Sequence, residues 1–308
     1  MAGLPDAAWT DIDLDRPGAA DELRRLAAEL KVAPQVVADA LDGVQRPRVT
    51  RHHGHLFVHV HVLSLAQEAG EDHDSRLRTA PVSALVFPDH LVTVHRASQF
   101  PMDRVVEHWE EDIEAGSRDV AALLHGLLDE VVDGHADLLQ DLEDQAEALE
   151  DDLFGDRGRA GGMQQVTYRL RKEVVQTRRA VLPMRDVVAA LLRSEDDGFV
   201  VPRSLQGRYQ DLADLAQHDA ERTGGLREIV NSIFETNLSL QDARRNIVMK
   251  KLAGWAAVIA VPTAVTGWFG QNIPFPGFSS PWGLAASTTL VVLGTLALYL
   301  VLRRRDWI

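Results

Sequence analysis

The densest group of metal-ligating side chains lies in the first third of the sequence, where His52, His53, His55, His59 and His61 crowd together. On an extended strand successive side chains alternate faces, so His55, His59 and His61 share one side. Imidazole suits zinc, which makes these three a candidate zinc site. Cysteine is absent from the whole chain, and no close carboxylate completes a tetrahedral set. A half-exposed sheet face is the plainer use of the same pattern.

A second pattern stands near the C-terminus. Asn246, Met249, Leu252, Ala256, Ala260, Thr263 and Gly267 recur at steps of three or four and so fall on one helical stripe. After Met249 and Leu252 the stripe is small or polar. Small residues let membrane helices pack closely, and they equally suit the wall of a pore; spacing leaves both open. Two spans per chain cannot shield a polar path from lipid, so conduction needs several copies around an axis. Each position then becomes a ring. Rings of Met249 and Leu252 form an apolar constriction of the kind that gates by dewetting, and Thr263 and Asn272 form polar rings. No phosphate-cradling glycine loop, nucleophile elbow or HExxH pattern occurs, so no enzyme is expected.

These residues need particular elements to position them. No charged residue or histidine occurs from Leu252 to Leu302. That run divides into Leu252–Phe269 and Gly283–Leu302, each near the roughly 20 residues that span a bilayer as a helix. Between them GQNIPFPGFSSPW is rich in helix breakers. The pattern predicts a helical hairpin in the membrane. Lys250 and Lys251 precede it, Arg303–Arg305 follow it, and the loop is uncharged, so both ends are expected in the cytoplasm.

Upstream, HLFVHVHV (55–62) and VSALVFPDHLVTV (82–94) read as strands, with Pro88-Asp89-His90 turning a hairpin. Residues 21–30 and 33–41 have helical spacing, and 65–80 read as a loop between strands. Helices are expected over 119–153 and 164–193, and a third runs from about Arg203 into the membrane. Gly161-Gly162 and Gly224-Gly225 read as breaks in them. The divisions are 1–118, an α/β domain; 119–202, a helical hairpin; 203–269, a long stalk helix continuing into the first span; 270–282, an outside loop; 283–302, the second span; and 303–308, a basic tail.

The net charge of −14 averages two populations. Residues 246–308 hold five basic groups and one acid, a net +4, and the remaining 245 hold 27 against 45, a net −18. An acidic body repels nucleic acid phosphates and attracts divalent cations. The opening MAGLPDAAWTDIDLD has early acids and no apolar run, so it does not read as a secretory signal.

Asn246-Ile-Val-Met249-Lys250-Lys-Leu252, Val261-Pro262-Thr263, Trp268-Phe269-Gly270-Gln271-Asn272 and the Arg303-Arg-Arg-Asp-Trp307-Ile308 ending together resemble the CorA family of magnesium and cobalt channels. Gly270-Gln271-Asn272 stands where that family has Gly-Met-Asn, with Gln replacing Met. The resemblance implies an α+β membrane protein: a cytosolic α/β domain, coiled-coil-like stalk helices and a two-helix transmembrane hairpin, assembled as a homopentamer. It implies a pore lined by Asn246, Met249, Leu252, Ala256, Thr263 and Gly267, with Gly270, Gln271 and Asn272 at the mouth. Ala260 falls where some members have a bulky Met.

It further implies transport of Mg²⁺, with Co²⁺ and Ni²⁺, across the cytoplasmic membrane, closed by intracellular Mg²⁺ at carboxylates between subunits. Counting back from Asn272 reaches Asp211, with Asp214 one turn on; Asp89 is a weaker partner from the α/β domain. The alternative is a ZntB-like zinc transporter, with proton coupling as one form of it. A third is a non-conducting, membrane-anchored sensor or interaction protein.

Overall fold

Strand β3, His55–Leu65, is apolar at nearly every even position and carries Phe57 among its histidines, so both of its faces call for cover. The computed structural model, which describes residues 8–43, 45–66, 75–114, 119–154, 160–193, 199–271, 274, 276–278 and 280–308, supplies it on each side. Five strands lie in the order β1-β5-β4-β3-β2, with β1 (Ala8–Asp13), β2 (Arg48–His52), β4 (Leu77–Val86) and β5 (His90–His95). Only β1 and β5 run parallel; the other neighbours are antiparallel.

On one face Ile12, Phe57, Leu85, Val92 and Val94 pack with Leu23 of α1 (Ala19–Glu29) and Val36 and Val37 of α2 (Pro34–Asp42). On the other, Leu56, Val58, Val60, Val82, Ala84 and Val86 meet four helices: α3 (Met102–Glu114), α4 (Val120–Phe154), α5 (Ala160–Leu192) and the start of α6 (Gln206–Phe269). Trp109 donates from Nε1 to the Leu123 carbonyl at 2.7 Å, and the Tyr209 hydroxyl donates to the Ala121 carbonyl at 2.8 Å, joining α3 and α6 to α4.

Packing therefore gathers the chain into two units, Met1–Phe234 and Glu235–Ile308. The reason is that α4, α5 and the start of α6 share one core with the sheet. The second unit holds the rest of α6 and α7 (Pro281–Arg304).

The expected strands and long helices are present, the Pro88-Asp89 turn included, closed by the Phe87 amide donating to the His90 carbonyl at 2.8 Å. The 65–80 loop is shorter than expected: β3 reaches Leu65 and pairs it with Leu77 at the start of β4. Gly161-Gly162 lies inside α5 and Gly224-Gly225 inside α6. Each internal glycine costs only about 1 kcal/mol, which buried neighbours such as Leu226 and Val230 offset. Strands β1 and β2 and helix α3 were not anticipated.

Candidate functional site

The second unit places the stripe. From Glu235 onward α6 is polar and then, past Lys251, uncharged to Phe269, and α7 follows; both are long and apolar enough to cross a membrane. Ser280 caps α7, accepting from the Gly283 amide at 3.3 Å, and Pro281 opens its first turn. Gly277 has φ +100, which favours glycine, and a Cβ at Gly283 would collide with the Gly277 carbonyl. That pair of glycines lets the chain turn tightly into α7.

The face of α6 turned toward α7 is identifiable. Val258 is buried, and with Pro262 it borders an apolar groove of ≈ 420 Å³ shared with Val291, Thr295 and Tyr299. Gly254 is buried beside Trp307 and Ile308. Lys250 donates from Nζ to the Arg305 carbonyl at 3.4 Å and stands 5.6 Å from the Trp307 ring, a cation–π contact that ties the segment after α7 to α6 just before its uncharged stretch.

The stripe lies on the other side. At about 100° per residue, Leu252, Ala256, Thr263 and Gly267 are centred about 180° from Val258, Val261 and Val265. Asn246, Met249, Leu252, Ala256, Ala260, Thr263 and Gly267 are all exposed, Met249 at 64% and Leu252 at 60%. Among the described residues nothing covers these two bulky apolar side chains. Thr263 donates its hydroxyl to the Ile259 carbonyl at 3.0 Å, leaving its oxygen lone pairs facing outward as acceptors. Pro262 has no N–H to give the Val258 carbonyl, yet the helix continues through it.

At the end of α6 the Gly270 amide donates to the Thr266 carbonyl at 2.9 Å, and Gln271 is exposed. Gly270 also lines a cavity of ≈ 610 Å³ with Thr266, Ser280 and Ser287. Asn272 lies outside the described residues.

In the first unit the three candidate acids are surface groups. Asp211 and Asp214 are exposed one turn apart on α6, Asp214 accepting from Gln210 Nε2 at 3.4 Å, and Asp89 is exposed in the β4–β5 turn. The histidines share a face as expected but do not assemble into a ligand set. Among the described residues no three His, Asp or Glu side chains are placed to hold a metal ion. His55 is drawn away into a stack between His52 and Phe87, at 5.0 and 5.2 Å between ring centres. His59 is fully buried and its Nδ1 lies 2.8 Å from Ser83 Oγ; burial pushes its pKa down to about 4, as it also does for His135. His61 packs beside His59 edge to face. His55 and His59 are buried, where the plainer reading has them on a half-exposed face.

One group escaped the sequence reading. Asp219 is only 3% exposed, on the buried stripe of α6 with Ala216, Ala220 and Thr223. Burial pushes its pKa up to about 6 against the pull of Arg222, 3.9 Å away and itself held by Glu143 at 2.7 Å. An acid in register with Leu212, Ala216 and Leu226 was the available signal.

Comparison with known proteins follows the same lines. Residues 6–304 match the family described as CorA-like Mg2+ transporter protein. The cobalt/magnesium transport protein CorA of Thermotoga maritima is 24% identical over 293 residues, 94% of this chain and 80% of that one. The zinc transport protein ZntB of Yersinia enterocolitica is 25% identical over 319 residues, covering 100% and 90%. In fold, the complete structure of the CorA magnesium transporter from Methanocaldococcus jannaschii superposes with a TM-score of 0.77 at 22% identity, over 97% of this chain and 91% of that one.

Proposed function

This chain belongs to the CorA-like Mg2+ transporter protein family, and on that premise we propose that it carries Mg²⁺, with Co²⁺ and Ni²⁺ as further cargo, across the cytoplasmic membrane. The path is a central pore among five copies, lined by the exposed stripe of α6. The observation that carries this reading is the placement of that stripe opposite the face that α7 covers. Within the span, lipid would cover Leu252 but offers no donor to the Thr263 hydroxyl oxygen. A ring of copies satisfies both kinds of residue at once.

Mg²⁺ gives up its waters reluctantly. Such an ion is best handled through its hydration shell, by acceptors that take hydrogen bonds from bound water. The Thr263 hydroxyl, the Gly270 carbonyl and the amide oxygens of Gln271 and Asn272 are acceptors of that kind. Met249 and Leu252, one turn apart at the cytosolic entry to the first span, supply an apolar ring that stays dry until it widens. The hairpin's basic flanks, Lys250, Lys251 and Arg303–Arg305, favour placing both ends in the cytoplasm, with the Gly270–Asn272 mouth outside.

Closure by intracellular Mg²⁺ would rest on Asp211 and Asp214, exposed hard-oxygen donors, and on Asp89 from a neighbouring copy. Zinc transport is the second reading, favoured by the full-length similarity to a zinc transport protein and by Gln271 in place of Met.

Cation uptake into liposomes holding the purified protein separates the two. Mg²⁺ uptake blocked by cobalt hexammine, a mimic of the hydrated ion, supports the channel. Zn²⁺ uptake that follows a pH gradient without Mg²⁺ uptake selects the zinc transporter, and no cation flux from a verified oligomer overturns both.

A further inference from the structure

Four arginines converge in the first unit where nothing in the transport reading needs them. Val175, Arg178, Arg179 and Leu182 recur at three- and four-residue steps on α5 and share one face. Arg46, from the segment between α2 and β2, and Arg227, from α6, meet that face, and with Pro183 these residues line a cavity of ≈ 430 Å³. Three separate stretches of chain thus deliver four guanidinium groups to one concavity.

The charge pattern is the unusual part. The body of the protein is strongly acidic, and several arginines elsewhere in it are paired: Arg48 with Asp39, Arg76 with Glu173, Arg222 with Glu143. Among the described residues none of the four pocket arginines has a carboxylate within ion-pairing distance. Like charges gathered in one cavity repel, so an anion is the natural complement. Guanidinium is the group that grips phosphate through paired N–H donors, better than a lysine ammonium does. Val175, Leu182 and Pro183 leave part of the wall apolar, which a bare inorganic anion would not use. The volume falls within the range of about 300–1,000 Å³ typical of small-molecule sites.

We propose that this pocket binds a nucleoside triphosphate, the arginines holding the phosphate chain and the apolar wall taking the base or sugar. A triphosphate chain carries about as many negative charges as the pocket has guanidiniums. The site lies wholly within Met1–Phe234 and stands whether the cargo is Mg²⁺ or Zn²⁺.

The test is calorimetric titration of the full-length protein in detergent, in metal-free buffer, with ATP and separately with inorganic triphosphate. ATP binds, and binds more tightly than triphosphate. Arg179→Gln combined with Arg227→Gln weakens ATP at least about tenfold, since a charge-assisted hydrogen bond contributes about that much. The exposed Arg24→Gln leaves binding unchanged. Equal affinity for ATP and triphosphate overturns the nucleoside assignment. No binding of either, or binding indifferent to the double substitution, overturns the site. Loss of the oligomer in the double variant, with no ATP binding by the parent, assigns the arginines to a contact between copies and also overturns it.

Discussion

Replacing Asp219 with asparagine stabilises the protein at neutral pH and does so much less in acid. The side chain is 3% exposed, its Oδ2 has no hydrogen-bond partner, and burial raises its pKa from 3.8 to about 6. Arg222 and His218 favour the charged form; Asp133 and Glu143 oppose it. Between those two pKa values the folded chain keeps a proton that the unfolded chain has released. Stability therefore falls as pH rises from about 4 to about 6 and is level above that. A shift of about two units, at about 1.4 kcal/mol each, sets a ceiling of about 3 kcal/mol. The variant loses the weak attraction to Arg222, so a gain of about 1–2 kcal/mol is expected at pH 7.5. For a unit of this size that is a Tm rise of roughly 2–8 °C. At pH 4.5 about a third of the effect remains by the same linkage. Tryptophan fluorescence reads it, because Trp9 and Trp109 pack edge to face at 4.5 Å within the first unit. A rise of equal size at both pH values, or a loss of stability at pH 7.5, would show that the Arg222 pair outweighs burial and refute the reasoning.

Three substitutions probe the rest. Leu252→Ala shortens a side chain that is 60% exposed, so folding is unaffected while Mg²⁺ flux into liposomes rises severalfold; unchanged flux removes Leu252 from the constriction. Asp211→Ala raises flux at millimolar internal Mg²⁺, and an unaltered Mg²⁺ response sinks the sensing role. Gly283→Ala drives a methyl into the Gly277 carbonyl and destabilises the hairpin by about 1–3 kcal/mol; a wild-type melting curve would mean the turn relaxes without cost.

The hairpin was legible because a membrane span needs a long uncharged run, and Leu252–Leu302 has one. The stripe was legible as periodicity, but whether its small residues pack against α7 could not be read from spacing. That depended on Gly254, Val258 and Pro262 claiming the opposite face. For the histidines, strand alternation tells which side a residue is on and not what else competes for its ring; Phe87 and Ser83 come from β4 and its turn. Gly224-Gly225 misled for a related reason. Glycine weakens an isolated helix, whereas Leu226, Val230 and Ile233 hold this one in a core. Asp219 hid in the open, one acid among many on α6, distinguishable only by its register with buried neighbours.

The absence of native cysteine makes the pathway directly addressable. In Ala256→Cys and Thr263→Cys proteins reconstituted in liposomes, a charged, water-soluble thiol reagent should reach the sulfur and suppress Mg²⁺ flux, while Val258→Cys and Val265→Cys, on the side facing α7, should keep theirs. Suppression confined to the Val258 and Val265 variants, or absent from all four, would contradict a pathway along the exposed stripe of α6.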